Sequence, residues 1–284
     1  MSTTVQTVTD RSSADSVILR PSRGLASFGL RELWRYRELL FFITWRDVKV
    51  RYKQTALGAA WAVIQPALLM LVFALFVGRF VPKPHGIPYP IFVFTALVPW
   101  TLFAQSLNGA SGSLVLSADL VSKVYFPRLI LPLAATGSFI LDLVLGIVVL
   151  IIVMAFAGIA PGVGIVALPL LALFALLTAF AVGIWLSALN VRYRDVIYAV
   201  PFLLQIWLFA SPVAYPSTIV HGFWQVIYGL NPMAGVIEGF RWALLGLPPP
   251  PLGLMAASLG AMLVILVSGM VYFRTTERTF ADVI

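Results

Sequence analysis

The feature that most limits how this chain can fold is a run from Leu143 to Val191 in which no residue is charged. A helix that crosses a membrane needs about 20 consecutive apolar residues, and the run is interrupted only from Gly158 to Gly164, around Pro161. It therefore predicts a tight hairpin of two membrane-spanning helices. The composition agrees with an integral membrane protein, because 61% of the residues are hydrophobic and 11% are charged, against about 25% charged in soluble domains.

The other apolar segments extend this hairpin to an all-α membrane protein with six spans. We place the spans at about 57–78, 91–109, 129–157, 165–189, 196–213 and 252–273. Two weakly apolar segments before the last span, Ser217 to Leu230 and Pro232 to Leu245, would each be ~21 Å long as helices, which is too short for about 30 Å of hydrocarbon. We predict that they are re-entrant helices that dip into the membrane from one side. The alternative is a pair of helices lying flat on the outer surface.

The segment before the first span predicts a helix on the membrane surface. Residues 1–29 are polar and rich in Ser and Thr, and we predict a disordered cytoplasmic tail. Residues 30–56 are predicted to be an amphipathic interfacial helix and its connector. The apolar face would hold Leu30, Leu33, Trp34, Phe41, Trp45 and Val48, and the polar face Arg31, Arg35, Glu38, Arg46, Lys49 and Lys53. Tryptophan and a cationic face suit the headgroup layer, and a helix of a soluble cap is the alternative.

The positive residues are concentrated in segments that six spans place on one side of the membrane. These segments are residues 1–56, the 110–128 connection, the 190–195 turn and the 274–284 tail, whereas the other side has Arg79, Lys83 and Arg241. Cytoplasmic loops carry an excess of Lys and Arg, so we predict that both termini are cytoplasmic. The net charge of +8 is thereby attributed to topology, and no nucleic-acid partner is expected.

Few residues suit catalysis or metal binding. The chain has no cysteine, and His85 and His221 are its only histidines, which excludes thiolate chemistry and a multi-histidine metal site within one chain. No lysine follows a glycine, so there is no phosphate-binding loop ending in Gly-Lys; if ATP drives this protein, another chain must bind it. We predict no catalytic residue and no metal. Asp142, the one acid inside a span, is interpreted as either a hydrogen-bonded carboxyl facing other helices or a substrate or proton site.

Local signals mark three further features. The stretch from Ser117 to Tyr125 predicts a short helix, with Ser117 as its N-cap and Asp119 in its first turn. Asn231, followed by a proline, predicts the start of a helix. Glu238 and Arg241 are spaced to pair on one helix face. That pair is interpreted as either a latch that holds an outer gate shut or a buried structural pair.

The order of these motifs resembles the membrane subunit of type-2 ATP-binding-cassette exporters, and in particular the polysaccharide branch, which exports O-antigen, capsular polysaccharide, teichoic acid or galactan on a lipid carrier. The resemblance covers nearly the whole chain after the tail. It rests on Trp45-Arg46-Asp47-Val48-Lys49-Val50-Arg51-Tyr52-Lys53, Leu57-Gly58, Trp61, Gln65-Pro66, Phe126-Pro127-Arg128, Leu131-Pro132, Asn190-Val191-Arg192-Tyr193-Arg194-Asp195, Ser211-Pro212-Val213, Asn231-Pro232, Glu238 with Arg241, and Phe273-Arg274 to Glu277-Arg278.

This resemblance implies a homodimer in the bacterial cytoplasmic (inner) membrane with two separate ATPase subunits. ATP and Mg²⁺ would lie on those partners, and this chain would bind no cofactor. The substrate would be a lipid-pyrophosphate-linked polysaccharide, with membrane lipid around it. Two alternatives stay open, namely a type-2 permease for drugs or small lipids and a membrane-embedded enzyme acting on lipid-linked sugars.

The resemblance also implies which residues form each site. Coupling to the ATPase would use Ser117, Asp119, Lys123, Arg128, Arg192, Arg194 and Asp195. The interfacial helix at the cytoplasmic entrance would use Trp34, Arg35, Trp45, Arg46 and Lys49. The channel candidates, chosen because sugar rings stack on aromatic faces, are Trp61, Gln65, Phe73, Trp100, Phe202 and Trp207. The outer gate would use His221, Asn231, Glu238 and Arg241.

Overall fold

A computed structural model describes residues 30–53, 58–80, 86–217, 222–277 and 280. The predicted tail 1–29, His221 and most of the C-terminal tail lie outside these residues. The described ranges contain helices and no strand, which confirms the all-α class. The helices are α1 (Leu30–Arg35), α2 (Arg37–Lys53), α3 (Trp61–Phe76), α4 (Tyr89–Leu116), α5 (Ala118–Lys123), α6 (Ile130–Gly137), α7 (Ile140–Phe156), α8 (Leu168–Arg192), α9 (Val196–Ala210), α10 (Phe223–Gly229), α11 (Pro232–Leu245) and α12 (Leu252–Thr276).

Within the described ranges, five helical segments are long and apolar enough to cross a membrane. They are Gly58–Phe76, Tyr89–Leu116, Ile130–Phe156, Val163–Arg192 and Leu252–Thr276. Helix α9 is apolar but has 15 residues, about 22 Å of helix. It ends at Ala210, before the predicted limit of 213, because Pro212 forces Ser211 into the extended conformation (φ −101°, ψ 152°).

Helix α4 is the centre of the bundle, and most of its side chains are buried. It packs against α3, α6, α7, α8, α9 and α11. It reaches Leu116, beyond the predicted end at 109. The hydroxyls of Ser111 and Ser113 donate to carbonyls one turn back, at 2.8 Å each, so these polar residues do not end the helix.

Ser117 lies between α4 and α5, but its side chain makes no capping hydrogen bond. Ser117 therefore holds the predicted N-cap position of the short helix, but the side-chain cap expected there is not formed. Its backbone (φ −111°, ψ 28°) lacks the extended geometry from which an N-cap side chain reaches the next amides.

The two ends of the bundle differ in what they enclose. At one end, α11 is buried among α4, α8 and α12 and against the Val163–Ala167 turn. The Gly162 N–H donates to the Leu244 carbonyl at 3.1 Å, and a Cβ on Gly164 would lie 2.9 Å from the Cα of Ala243. Helix α11 is thus enclosed by protein.

At the other end, a second apolar cluster joins α2, α5, α6, α8 and α12. It contains Ile43, Val121, Phe126, Phe273 and Phe280, all buried. We call this the α5 end of the bundle, and the opposite one the α11 end.

Candidate functional site

Helix α2 has two apolar faces and a cationic one. Leu39, Leu40 and Ile43 pack into the apolar cluster of the α5 end, whereas Trp45 is 48% exposed and Trp34, on the preceding helix α1, is 72% exposed. The prediction of one apolar face is therefore corrected. A helical wheel assumes that all apolar side chains face one environment, but α2 packs on α6 and still has an outward surface.

The outward surface of α1 and α2 combines aromatic rings and cations. Arg37 lies over the ring of Trp34 at 5.7 Å, and Lys49 lies over the ring of Trp45 at 5.5 Å. Arg35 and Arg46 are also exposed, and Arg46 is paired with Asp47 at 2.9 Å. This surface suits an anionic headgroup in a membrane interface.

The end of α2 is joined to the third predicted span at the point where that span breaks. The guanidinium of Arg51 pairs with Asp142 at 3.2 Å, donates to the Ser138 hydroxyl at 2.9 Å and to the Ser138 carbonyl at 3.2 Å, and lies 3.6 Å above the Phe139 ring. Ser138 and Phe139 separate α6 from α7. Arg51 therefore supplies hydrogen bonds at a break inside the predicted span 129–157, which the structure gives as the candidate span Ile130–Phe156 built from α6 and α7.

Asp142 accepts a second hydrogen bond, from the hydroxyl of Tyr52. Burial, followed by the hydrogen bond and charge of Asp142, raises the pKa of Tyr52 above its ordinary value, so the phenol stays protonated and acts as the donor at neutral pH. These contacts match the interpretation of Asp142 as a hydrogen-bonded carboxyl. Its partners could not be found from local spacing, since they lie 90 and 91 positions away.

The α11 end holds the predicted pair of Glu238 and Arg241, whose side chains are 2.9 Å apart. Arg241 is completely buried and lies 3.6 Å over the ring of Phe92. Its guanidinium also donates to the carbonyls of Val213, at 2.9 Å, and Tyr215, at 3.3 Å. The pair predicted from spacing is confirmed, and it is also attached to the chain between α9 and α10.

Three consecutive carbonyls of that connection are bound by side chains. Arg241 binds the carbonyls at 213 and 215, and the Tyr89 hydroxyl donates to the one between them, of Ala214, at 2.8 Å. Glu238 accepts the Ser217 N–H at 3.3 Å. Backbone groups outside regular helices need such partners when water is scarce. Glu238, Arg241 and Tyr89 therefore form a clamp on residues 213–217, which we call the carbonyl clamp.

Asn231 joins the end of α9 to the start of α11. Its side chain accepts the Met233 N–H at 3.1 Å, which confirms the predicted N-cap. The same oxygen accepts the Trp207 indole N–H at 2.9 Å, and the amide donates to the Ser211 hydroxyl at 2.9 Å. Two predicted residues with different assigned roles, Trp207 and Asn231, are thus direct partners.

The other channel candidates are divided between surface and interior. Trp61 and Phe202 are 51% and 63% exposed, whereas Phe73 and Trp100 are buried in the core of the subunit. Gln65 accepts a hydrogen bond from Gln105 at 3.2 Å, which links α3 to α4. Of the aromatic candidates, the subunit therefore presents Trp61 and Phe202 most openly.

At the α5 end, the short helix α5 is a protruding surface. Asp119 and Lys123 are exposed and pair at 2.7 Å, and the large apolar side chains of Leu116, Val124 and Tyr125 are exposed around them. Exposed apolar side chains grouped beside charges are typical of a surface that contacts another protein or a membrane.

The turn between α8 and α9 lies beside α5. Arg192, Arg194 and Asp195 are exposed there. A cleft of about 210 Å³ is lined by Arg194 from this turn, by Val191 from the end of α8, and by Val115 and Ala118 from the junction of α4 with α5. The structure therefore brings the two predicted coupling segments together.

Sequence reasoning missed residues whose partners are distant in the chain. Tyr89 of the carbonyl clamp, Phe92 beside Arg241 and Glu277 beside Arg128 were given no role, although the backbone N–H of Arg128 donates to the Glu277 carboxylate at 3.3 Å. No local spacing signals these contacts. The only hint was that Arg51, Tyr52 and Glu277 fell inside the stretches that carried the resemblance.

Helices long and apolar enough to cross a membrane, with a buried ion pair at one end of the bundle, define an all-α integral membrane protein. The chain belongs to the ABC-2 type transporter family, which matches residues 38–245. The resemblance to type-2 ATP-binding-cassette exporter permeases is thereby confirmed.

Known relatives cover most of the chain. It is 32% identical to the O-antigen export system permease protein RfbA of Myxococcus xanthus over 75% of this chain and 82% of that protein. A protein of the same name from Klebsiella pneumoniae is 30% identical over 72% of this chain and 79% of that protein. The polysialic acid transport protein KpsM of Escherichia coli is 23% identical over 70% of this chain and 78% of that protein.

Proposed function

We propose that this chain is the membrane subunit of an exporter that moves a lipid-linked polysaccharide outward across the bacterial cytoplasmic membrane. The observation that carries the proposal is the match to O-antigen export permeases over about four-fifths of their length. The relative named for polysialic acid transport supports the same substrate class, a long glycan.

ATP is hydrolysed on a separate subunit in this proposal. The chain has no Gly-Lys motif, so it lacks the usual loop for binding the phosphates of ATP. The exposed helix α5, with Leu116, Val124 and Tyr125 around its ion pair, supports docking of an ATPase there. Two copies of each subunit would form the exporter.

The channel lies between the two copies. Helices α3 and α9 each carry a row of large exposed apolar side chains, including Trp61 and Phe202, and we assign these faces to the dimer and its channel. Including helix α9 as a span brings the number of spans to six. Both termini then face the cytoplasm, in keeping with the distribution of Lys and Arg. The α11 end is then the outer end, with α10 and α11 as re-entrant gate helices.

The entrance lies beside α2. Exposed Arg35, Arg46 and Lys49 stand next to Trp34 and Trp45, so one surface offers cations to a pyrophosphate and rings to the membrane interface. A lipid carrier with its sugar would arrive at this level.

The test follows a lipid-linked glycan in cells that lack this chain and in cells that regain it with its partner ATPase. We expect the glycan to accumulate on the cytoplasmic side without the chain and to reach the outer side with it. Unchanged glycan distribution, with drugs or small lipids exported instead, would support the small-substrate permease. Chemical turnover of a lipid-linked sugar by the chain alone, abolished by Glu238→Gln, would support the enzyme.

The ATPase contact has its own test at α5. The exchanged variant Asp119→Lys with Lys123→Asp keeps an ion pair within the helix but reverses the charges that face a partner. We expect the ATPase to bind less tightly and export to fall. Normal export by this variant would show that the charges of Asp119 and Lys123 do not contribute to ATPase docking.

A further inference from the structure

The C-terminal end of α12 is fastened to the segment that follows α5. The carboxylate of Glu277 accepts a hydrogen bond from the backbone N–H of Arg128 at 3.3 Å. It also pairs with the side chain of Arg274, one turn earlier, at 3.3 Å. The guanidinium of Arg128 donates in return to the backbone carbonyl of Glu277. Arg128 and Glu277 thus exchange hydrogen bonds in both directions, although they are 149 positions apart.

Apolar packing surrounds this polar contact. Phe126, two positions before Arg128, is buried in the same cluster as Phe273 and Phe280, and Val121 of α5 belongs to it as well. The rings of Phe273 and Phe280 are 5.3 Å apart, edge to face. The end of α12, Phe280 and the connection from α5 to α6 therefore form one packed unit.

This unit gives α5 two mechanical connections. One runs along the backbone, through residues 124–129 into α6. The other runs across space, from Arg128 to Glu277 and so into α12. We propose that Glu277 is a positioning residue that makes α12 move with α5 when the partner ATPase displaces it. The inference rests on the proposed function for its motor, and it adds the last span to the moving parts.

The contact is suited to transmit a displacement because it combines a charged hydrogen bond with close packing. A charge-assisted hydrogen bond resists stretching more than apolar contact alone, which allows sliding. The partial burial of both Arg128 and Glu277 reduces screening by solvent. Removal of the carboxylate leaves the aromatic packing and the bond from the Arg128 guanidinium to the backbone carbonyl of Glu277 in place, so α12 stays folded but is held less tightly to the connection.

A distance measurement tests the idea without any glycan. The chain has no cysteine, so Ser122→Cys on α5 and Thr275→Cys on α12, both exposed positions, would be the only thiols for a pair of spectroscopic labels. Labelled subunits are diluted into unlabelled ones and assembled with the partner ATPase. We expect the distance within a subunit to stay constant between the nucleotide-free and ATP-bound states, and to change between them when Glu277→Ala is added.

Transport gives the second measurement. We expect the Glu277→Ala variant to bind its ATPase partner and to support normal ATP hydrolysis. The amount of glycan exported per ATP should fall about tenfold, which is the scale of one lost charge-assisted hydrogen bond. Glu277→Gln keeps an oxygen for the Arg128 N–H and should lose far less. Glu32→Ala, which removes an exposed carboxylate from α1, is the matched control and should resemble the unaltered protein.

Several results would overturn the inference. One is a distance between the two labels that changes on ATP binding while Glu277 is still present. Another is a Glu277→Ala variant that exports a normal amount of glycan per ATP. Loss of assembly with the ATPase in Glu277→Ala would reduce the residue to a structural one. Failure of the unaltered chain to bind an ATPase at all would instead refute the proposed function, which keeps the two failures distinct.

Discussion

Replacing Arg241 by alanine is the sharpest perturbation that the structure offers at the α11 end. The guanidinium is completely buried, pairs with Glu238 at 2.9 Å and binds the carbonyls of Val213 and Tyr215. The variant removes all of these contacts at once. It also leaves Glu238, which is 16% exposed, without its counter-charge.

The expected cost follows from these contacts. Removing one partner of a buried ion pair costs about 3–5 kcal/mol, so Arg241→Ala should lower stability by that amount. Removing Glu238 as well cancels the unpaired charge but still leaves the carbonyls at 213 and 215 without their donor. Each unsatisfied buried group costs about 1–3 kcal/mol, so the double alanine variant should stay at least about 2 kcal/mol less stable than the original protein.

Two assays report the effect. In detergent, the original protein should have the highest melting temperature, the double variant an intermediate one and Arg241→Ala the lowest. Vesicles containing the resting complex should leak small solutes with Arg241→Ala, because residues 213–217 lose the carbonyl clamp. Arg79→Ala, which removes an exposed arginine from the same end of the bundle, is the matched control and should neither melt early nor leak.

The reasoning fails if the double variant is as stable as the original protein, since the arginine would then serve only to balance Glu238. If Arg241→Ala folds normally and its vesicles do not leak, the pair of Glu238 and Arg241 is a buried structural pair and not a latch.

Three further predictions concern stability in detergent. Asp142→Asn removes the charge that pairs with the end of α2, and it should lower the melting temperature, with a cost of about 1–3 kcal/mol; an unchanged melting curve would contradict the pairing. Asn231→Ala removes an N-cap and two side-chain hydrogen bonds, and it should cost at least the ~1 kcal/mol of a cap alone, measured in the same way. Gly164→Ala would place a Cβ 2.9 Å from the backbone of α11 and should cost about 1–3 kcal/mol by overpacking. Gly260→Ala, where a Cβ meets nothing within 4 Å, should be neutral or slightly stabilising. If Gly164→Ala and Gly260→Ala lost the same amount of stability, the packing argument would be contradicted.

Features with local causes were predictable from the sequence. Helix α11 has the predicted bounds, Pro232–Leu245, because Asn231 caps its start and Gly246 ends it in the left-handed conformation, at φ 64°. The Glu238–Arg241 pair was also predictable, because one helical turn fixes its geometry.

Features that depend on distant partners were not. The break between α6 and α7 occurs where Arg51, 87 positions earlier, donates to Ser138. The carbonyl clamp is equally invisible, because its acceptors are backbone oxygens, which every residue has, so no residue pattern reveals them. The second apolar face of α2 was missed because nothing in the segment itself shows that α6 packs against it.

The contact between Arg51 and Asp142 also sets an order for biosynthesis. The two residues are 91 positions apart, and because a ribosome adds about 5–20 residues per second, Arg51 is made roughly 5–18 s before its carboxylate. During that interval the first span can enter the membrane while the helix in front of it still lacks its anchor. Helix α2 is thus synthesised before every span, yet it can be fixed in place only after the third one has been inserted.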